Sequence, residues 1–294
     1  MLSGRLGLEK ASVPQSDRHG LLWLGRGRLY VEDGTLRFRT RGKGELPAGD
    51  YGLPFQALNC IVLTPGTAVT HDALRLLARH GTGLVAAAED GVRFYASMPS
   101  GPDHSARARR QAQLWADATG ERIRVARLMY AWRLGEFLPA TDIDVLRGME
   151  GARVKETYRR IAEQVGIRWA GRRYDRANPQ EADIPNQALN HAATAVLAAA
   201  EVAVAITGTI PQLGFIHEDS GISFALDVAD LFRDRITVPV AFSAAKAFDE
   251  KTTVPLERQV RERAGRVLRK EKVIEGMIDR IKEILDATDS SRNI

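Results

Sequence analysis

Cysteine is nearly absent. Of 294 residues only Cys60 carries a thiol, so neither an intramolecular disulfide nor a thiolate metal cluster can be built from this chain. A cytoplasmic location is the expectation that goes with that shortage. Its neighbours Ile61, Val62 and Leu63 mark Cys60 as a buried strand residue rather than a nucleophile. Long apolar runs are lacking too. The longest, 192–208, is interrupted by Glu201 and falls short of the roughly 20 residues a membrane span needs. The opening MLSGRLGLEKASVPQ holds no apolar stretch of signal-peptide length, and no membrane role is expected. No helix pattern follows GRGRLYVEDG, which excludes a glycine-rich phosphate loop. Ser220 and Ser223 lack a nucleophile elbow, which excludes a Ser–His–Asp hydrolase.

What is present is the composition of a folded protein, 44% hydrophobic and 27% charged, with length enough for two domains. The formal net charge of +5 is mild. Its distribution matters more: residues 105–176 hold 16 Arg and Lys against 9 Asp and Glu, and all but one of those cations are Arg. The planar Arg fork pairs bidentately with phosphate, so this excess favours a phosphodiester partner, with a solvated helical face as the plainer reading.

Periodicity divides the chain. LLWLG and RLYVE meet an Asp33-Gly34 turn before TLRFR, and GLVAAA meets Asp90-Gly91 before VRFYAS, both hairpin patterns. CIVLTPG between them reads as a strand, and residues 70–80 as a helix with Leu74, Leu77 and Ala78 inward. The expectation is an α+β chain: an N-terminal small β-sheet domain with one helix over 1–97, a Pro/Gly/Ser-rich linker over 98–105, and a mostly α-helical catalytic domain over 106–294. Helical spacing runs through 106–134, 141–165, 187–207, 223–232 and 257–285.

The most informative stretch is FIHEDSGISFALDVAD, 215–230. If residues from Phe224 onward are helical, Asp227 and Asp230 lie three apart on one face, among Phe224, Leu226, Val228 and Leu231. Carboxylates on so apolar a face need compensation. A divalent cation shared with His217 is one answer, an Arg or Lys another, and exposure of that stripe a third. Glu150, in LRGMEGARVKETY, is a further candidate, with pairing to Arg147 or Arg153 as its plainer role. A mixed Glu, His and Asp set suits manganese or magnesium.

Taken together, RGMEGARVKETY, GRRYD and GFIHEDSGISFALDVADLFR, with PGTAVTHDALRLLARHGT and GVRFYAS earlier in the chain, resemble the CRISPR-associated adaptation integrase, the first Cas protein, and specifically its type I-E branch. The resemblance spans about Gly20 to Phe248. It implies a homodimer, two of which clamp a dimer of the small second Cas protein. It also implies a Mg2+- or Mn2+-dependent transesterification on double-stranded DNA, joining protospacer 3′-hydroxyl ends to the CRISPR repeat. By position, Glu150, His217 and Asp230 match the family's metal ligands and Asp227 the accompanying catalytic acid. Arg75 and Arg93 match basic positions that hold duplex phosphates, and Tyr174 matches a base-stacking position. Arg26 stands where better-known members carry a wedging Tyr. A stand-alone nuclease on branched DNA and a non-catalytic DNA-binding scaffold are the alternatives.

Overall fold

Alternating apolar residues set the strands of the N-terminal region. The structure, a computed structural model, describes residues 20–42, 46–98, 105–136, 142–173, 182–248 and 253–286. It divides into two units, Met1–Ala88 with Tyr95–Ala106, and Glu89–Phe94 with Arg107–Ile294.

In the first unit the strands form two sheets. Strands β1 (Leu21–Leu24), β5 (Cys60–Leu63), β7 (Gly83–Ala87) and β8 (Phe94–Ser97) make one, in that order; β4 (Gly49–Gly52), β3 (Thr35–Thr40), β2 (Gly27–Glu32) and β6 (Ala68–Val69) make the other. β5 runs parallel to both β1 and β7, and all four of its residues are buried, which is why its sequence is a continuous apolar run rather than an alternation. Cys60 sits there fully buried, its thiol pKa pushed up by loss of water. The β2–β3 hairpin sets Leu29 opposite Phe38 and Val31 opposite Leu36, with Leu29, Leu36 and Phe38 in the core.

Helix α1 (His71–His80) begins where the Thr70 side chain accepts from the Ala73 amide, and ends at left-handed Gly81. Its inward pair is Ala73 and Leu77, with Leu74 half-buried. Ala78, expected inside, is exposed, because the buried stripe follows the i, i+4 pair 73 and 77.

The second unit is helical: α2 (Ser105–Ala116), α3 (Glu121–Leu134), α4 (Ile143–Val165), α5 (Ile184–Thr207), α6 (Ser223–Leu231), a π-helical turn (Arg233–Thr237), α7 (Val238–Ala247), α8 (Leu256–Lys270) and α9 (Val273–Asp286). Two helices expected as single pieces are broken. Asp117 accepts from the Thr119 and Glu121 amides ahead of left-handed Gly120, ending α2 and starting α3. Lys272, at a positive φ, separates α8 from α9. The alanine-rich α5 packs against α6, α7, α8 and α9. By length and composition it could cross a bilayer, yet its apolar surface is the core of this unit. The segment 89–94 joins the same unit, with Asp90 against Gly265 of α8.

Candidate active site

Asp227 organises the loop before α6. Its side chain is 0% exposed. Oδ2 accepts from the Phe215 and Ile216 amides at 2.6 and 3.0 Å, and Oδ1 accepts from the His217 amide at 3.0 Å. The His217 ring meets Oδ1 through Nδ1 at 2.7 Å. Three amides and an imidazole give this buried carboxylate the compensation its apolar surroundings demand. With Nδ1–H turned to Asp227, Nε2 keeps the lone pair. The Asp227 carboxylate raises the His217 pKa, against the opposing effect of burial.

The loop itself needs Gly214, since a Cβ there would stand 2.4 Å from the His217 carbonyl oxygen and 2.8 Å from Ser223 Cβ. Buried Gln111 on α2 donates to the Ile210 and Leu213 carbonyls and accepts from the Ile210 amide. Trp115 donates to Gly214, and Arg122 to Phe215. The imidazole is thus carried on a loop tied down at both ends.

A second cluster forms one turn further along α6. Arg133, from the last turn of α3 and only 3% exposed, bonds through Nη1 to Glu150 Oε1 of α4 and lies 3.6 Å from Asp230 Oδ2. Its Nε stands 3.5 Å from Asp234 Oδ2 in the π-helical turn, an ion pair at the edge of hydrogen-bond range. Tyr130 donates to Glu150 at 3.3 Å, and Arg233 pairs with Asp230 at 3.2 Å. Burial lowers the tendency of Arg133 to stay charged, but the charges of Asp230, Glu150 and Asp234 more than restore it. Burial pushes the Asp234 carboxyl up, with Arg133 opposing. Burial likewise raises Tyr130, helped by the Glu150 charge, so its hydroxyl stays a donor.

Of the alternatives open in the sequence, an arginine is the compensation for Asp230 and Glu150. It is neither Arg147, which pairs with Asp144 and the Ile216 carbonyl, nor Arg153, which pairs with Glu136. Sequence reading missed Arg133, Tyr130 and Asp234. Asp234 had a signal, since 227, 230 and 234 continue one helical stripe; Arg133 had none, being one Arg among many.

Among the described residues no three His, Cys, Asp or Glu side chains converge closely enough to hold an ion in this arrangement. In kind, however, the donors fit a hard divalent cation. Glu150 and Asp230 already lie against one guanidinium nitrogen, and His217, within reach of the Asp230 charge, is oriented by Asp227.

Arg75 is exposed on α1 and pairs with Asp72 at 3.1 Å. Arg93 lies in the segment grouped with the helical unit and pairs with Glu257 of α8 at 2.6 Å. Tyr174 falls outside the described residues.

The family described as CRISPR associated protein Cas1 matches residues 133–253, a span that contains Arg133, Glu150, His217 and Asp230. A CRISPR-associated endonuclease Cas1 of Rhodospirillum rubrum is 39% identical over 276 residues, covering 92% of this chain and 86% of the relative. The chain belongs to the Cas1 family. The CRISPR-associated endonuclease Cas1 of Escherichia coli K12 is 35% identical over 278 residues, covering 94% of this chain and 87% of its own length. The crystal structure of a TtCas1–DNA complex superposes with a TM-score of 0.81 at 32% identity, over 92% of this chain and 97% of that one. The N-terminal sheets followed by a helical region are therefore a Cas1 fold, as the resemblance implied.

Proposed function

We propose that this Cas1 chain is a metal-dependent DNA integrase and endonuclease of CRISPR spacer acquisition. The reading is carried by one observation: Glu150 from α4 and Asp230 from α6 both reach Nη1 of the buried Arg133, while His217, anchored by Asp227, feels the charge of Asp230. Relatives named as endonucleases and a relative crystallised with DNA support it. Mg2+ or Mn2+ held there would polarise a phosphoryl oxygen and stabilise charge on the attacking and leaving oxygens.

The chain's own part is to present donors and keep them in place. Glu150 and Asp230 supply carboxylate oxygens, His217 supplies Nε2, and Asp227 fixes the imidazole through Nδ1. In the reaction a 3′-hydroxyl forms a new phosphodiester as the repeat's own 3′-oxygen leaves with a proton, so one such bond replaces another. With water as nucleophile the same exchange is hydrolysis. Arg75 and Arg93 hold duplex phosphates without reading sequence. Tyr174, a homodimer, a dimer of the small second Cas protein, and the type I-E branch complete the proposal as the sequence resemblance implies them.

The test is strand transfer of a short duplex with 3′-hydroxyl ends into a supercoiled CRISPR plasmid, with manganese or EDTA, with and without the small Cas partner. Glu150→Ala and Asp230→Ala are expected to abolish joining while leaving DNA affinity nearly intact. Joining that survives Asp230→Ala would reduce the acid cluster to an ion-pair network and place the chemistry elsewhere, whereas no joining under any condition with DNA binding retained would leave a DNA-binding scaffold.

A further inference from the structure

Arg133 holds more hydrogen-bonding capacity than it uses. Among the described residues its Nε and Nη2 are buried without a hydrogen-bond partner, and so is Oδ1 of Asp234. Orphaned donors and acceptors at such depth are rare and call for a reason. Here the orphans match each other. Nε and Nη2 form the side of the guanidinium that pairs bidentately with a carboxylate, and the carboxylate nearest that side is Asp234, with Oδ2 3.5 Å from Nε. The opposite end, Nη1, is taken by Glu150 and lies near Asp230, two of the three donors assigned above to a divalent cation. Asp234 lies in the π-helical turn, where the Thr237 amide reaches back to the Phe232 carbonyl. Such turns recur at functional sites.

We propose that Arg133 is a counter-ion that changes partner: without a divalent cation it neutralises Glu150 and Asp230 through Nη1, and with one bound it turns its Nε/Nη2 fork fully onto Asp234. The inference rests on the metal reading of Glu150, His217 and Asp230. Two cations on the same two carboxylates would repel, so the guanidinium needs a second seat, and Asp234, with Oδ2 3.5 Å from Nε and Oδ1 without a hydrogen-bond partner among the described residues, is the carboxylate that offers one. Arg133 and Asp234 are therefore positioning residues. Together they keep the acid pair gathered before the cation arrives, then release it.

The test is calorimetric titration of the full chain with MnCl2, alongside the manganese-induced rise in Tm. Asp234→Asn removes the second seat and is expected to weaken manganese binding about tenfold, the scale of a lost charge-assisted hydrogen bond. Arg133→Lys keeps the charge but has no fork, and is expected to weaken binding alike while preserving the fold. Arg133→Met removes the competitor and should bind at least as tightly as wild type, with a lower Tm before metal is added. The double variant Arg133→Met/Asp234→Asn should recover wild-type affinity. Unchanged affinity in Asp234→Asn overturns the inference. So does a double variant as weak as Asp234→Asn, which would make Asp234 itself a ligand. If wild type binds manganese and Asp230→Ala does not, those results sink only the partner exchange; if wild type binds none, the metal reading falls and this inference with it.

Discussion

Asp227 is an acid whose ligand is the protein. Among the described residues its carboxylate hydrogen-bonds to the 215–217 backbone and to the His217 ring, an arrangement that aims the imidazole. A pH dependence follows. Asp227 raises the His217 pKa above its ordinary 6.5. The ion pair therefore contributes stability in full below the unfolded value and loses it as pH rises through the raised folded value. On the metal site proposed above, a cation would need the neutral ring, so manganese affinity should fall as pH drops through that same raised value. Asp227→Asn should move the fall to lower pH, measured by manganese titration across pH; an unmoved profile would mean that Asp227 does not govern the ring. At this scale the sequence was legible in part. The His and two Asp stood out because charge on an apolar helix face needs a partner. The division of labour between Asp227 and Asp230 did not, since a three-residue spacing gives the shared side of a helix but not the loop or side chain each acid meets.

Elements were legible where their period was long and their ends chemically marked. α4 starts at Asp142, whose carboxylate caps the Asp144 and Val145 amides, and ends at left-handed Gly166, signals a sequence carries locally. The breaks within 106–134 and 257–285 were not, because apolar spacing continues across both and a short capping turn interrupts it. α7 was also missed: it follows the π-helical turn directly, with Pro239 in its first turn, and no polar boundary announces it. Packing of α8 against the 89–94 segment gives a prediction of its own. A Cβ at Gly265 would lie 2.6 Å from Asp90 Oδ2 and 2.8 Å from Asp90 Cβ. Gly265→Ala gains helix propensity yet must push that segment away, and a net loss of about 1–3 kcal/mol is expected from overpacking, read from urea unfolding. An unchanged or higher midpoint would mean that the segment gives way freely.

For the whole molecule the relevant quantity is where cations are left to meet a polyanion. Arg75 is an exposed side chain with one exposed acidic neighbour, Asp72; such surface pairs are weak and yield readily to phosphate. Arg75→Glu should weaken duplex binding for any sequence and reduce the slope of log affinity against log salt by about one or two, measured by anisotropy titrations at several salt concentrations. An unchanged slope would remove Arg75 from the DNA contacts. That the chain holds a sheet region and a helical one was legible from the change of period near residue 98. That segment 89–94 belongs with the helices was not, because its turn residues read equally well as a hairpin. The bond from Arg93 to Glu257 joins residues 164 apart, and so carries a consequence for synthesis. At about 5–20 residues per second, roughly ten to thirty seconds separate the two residues' emergence from a ribosome. During that interval β7 and β8 can already form, while the turn between them waits, with Asp90 and Arg93 in water, for the helix that will receive it.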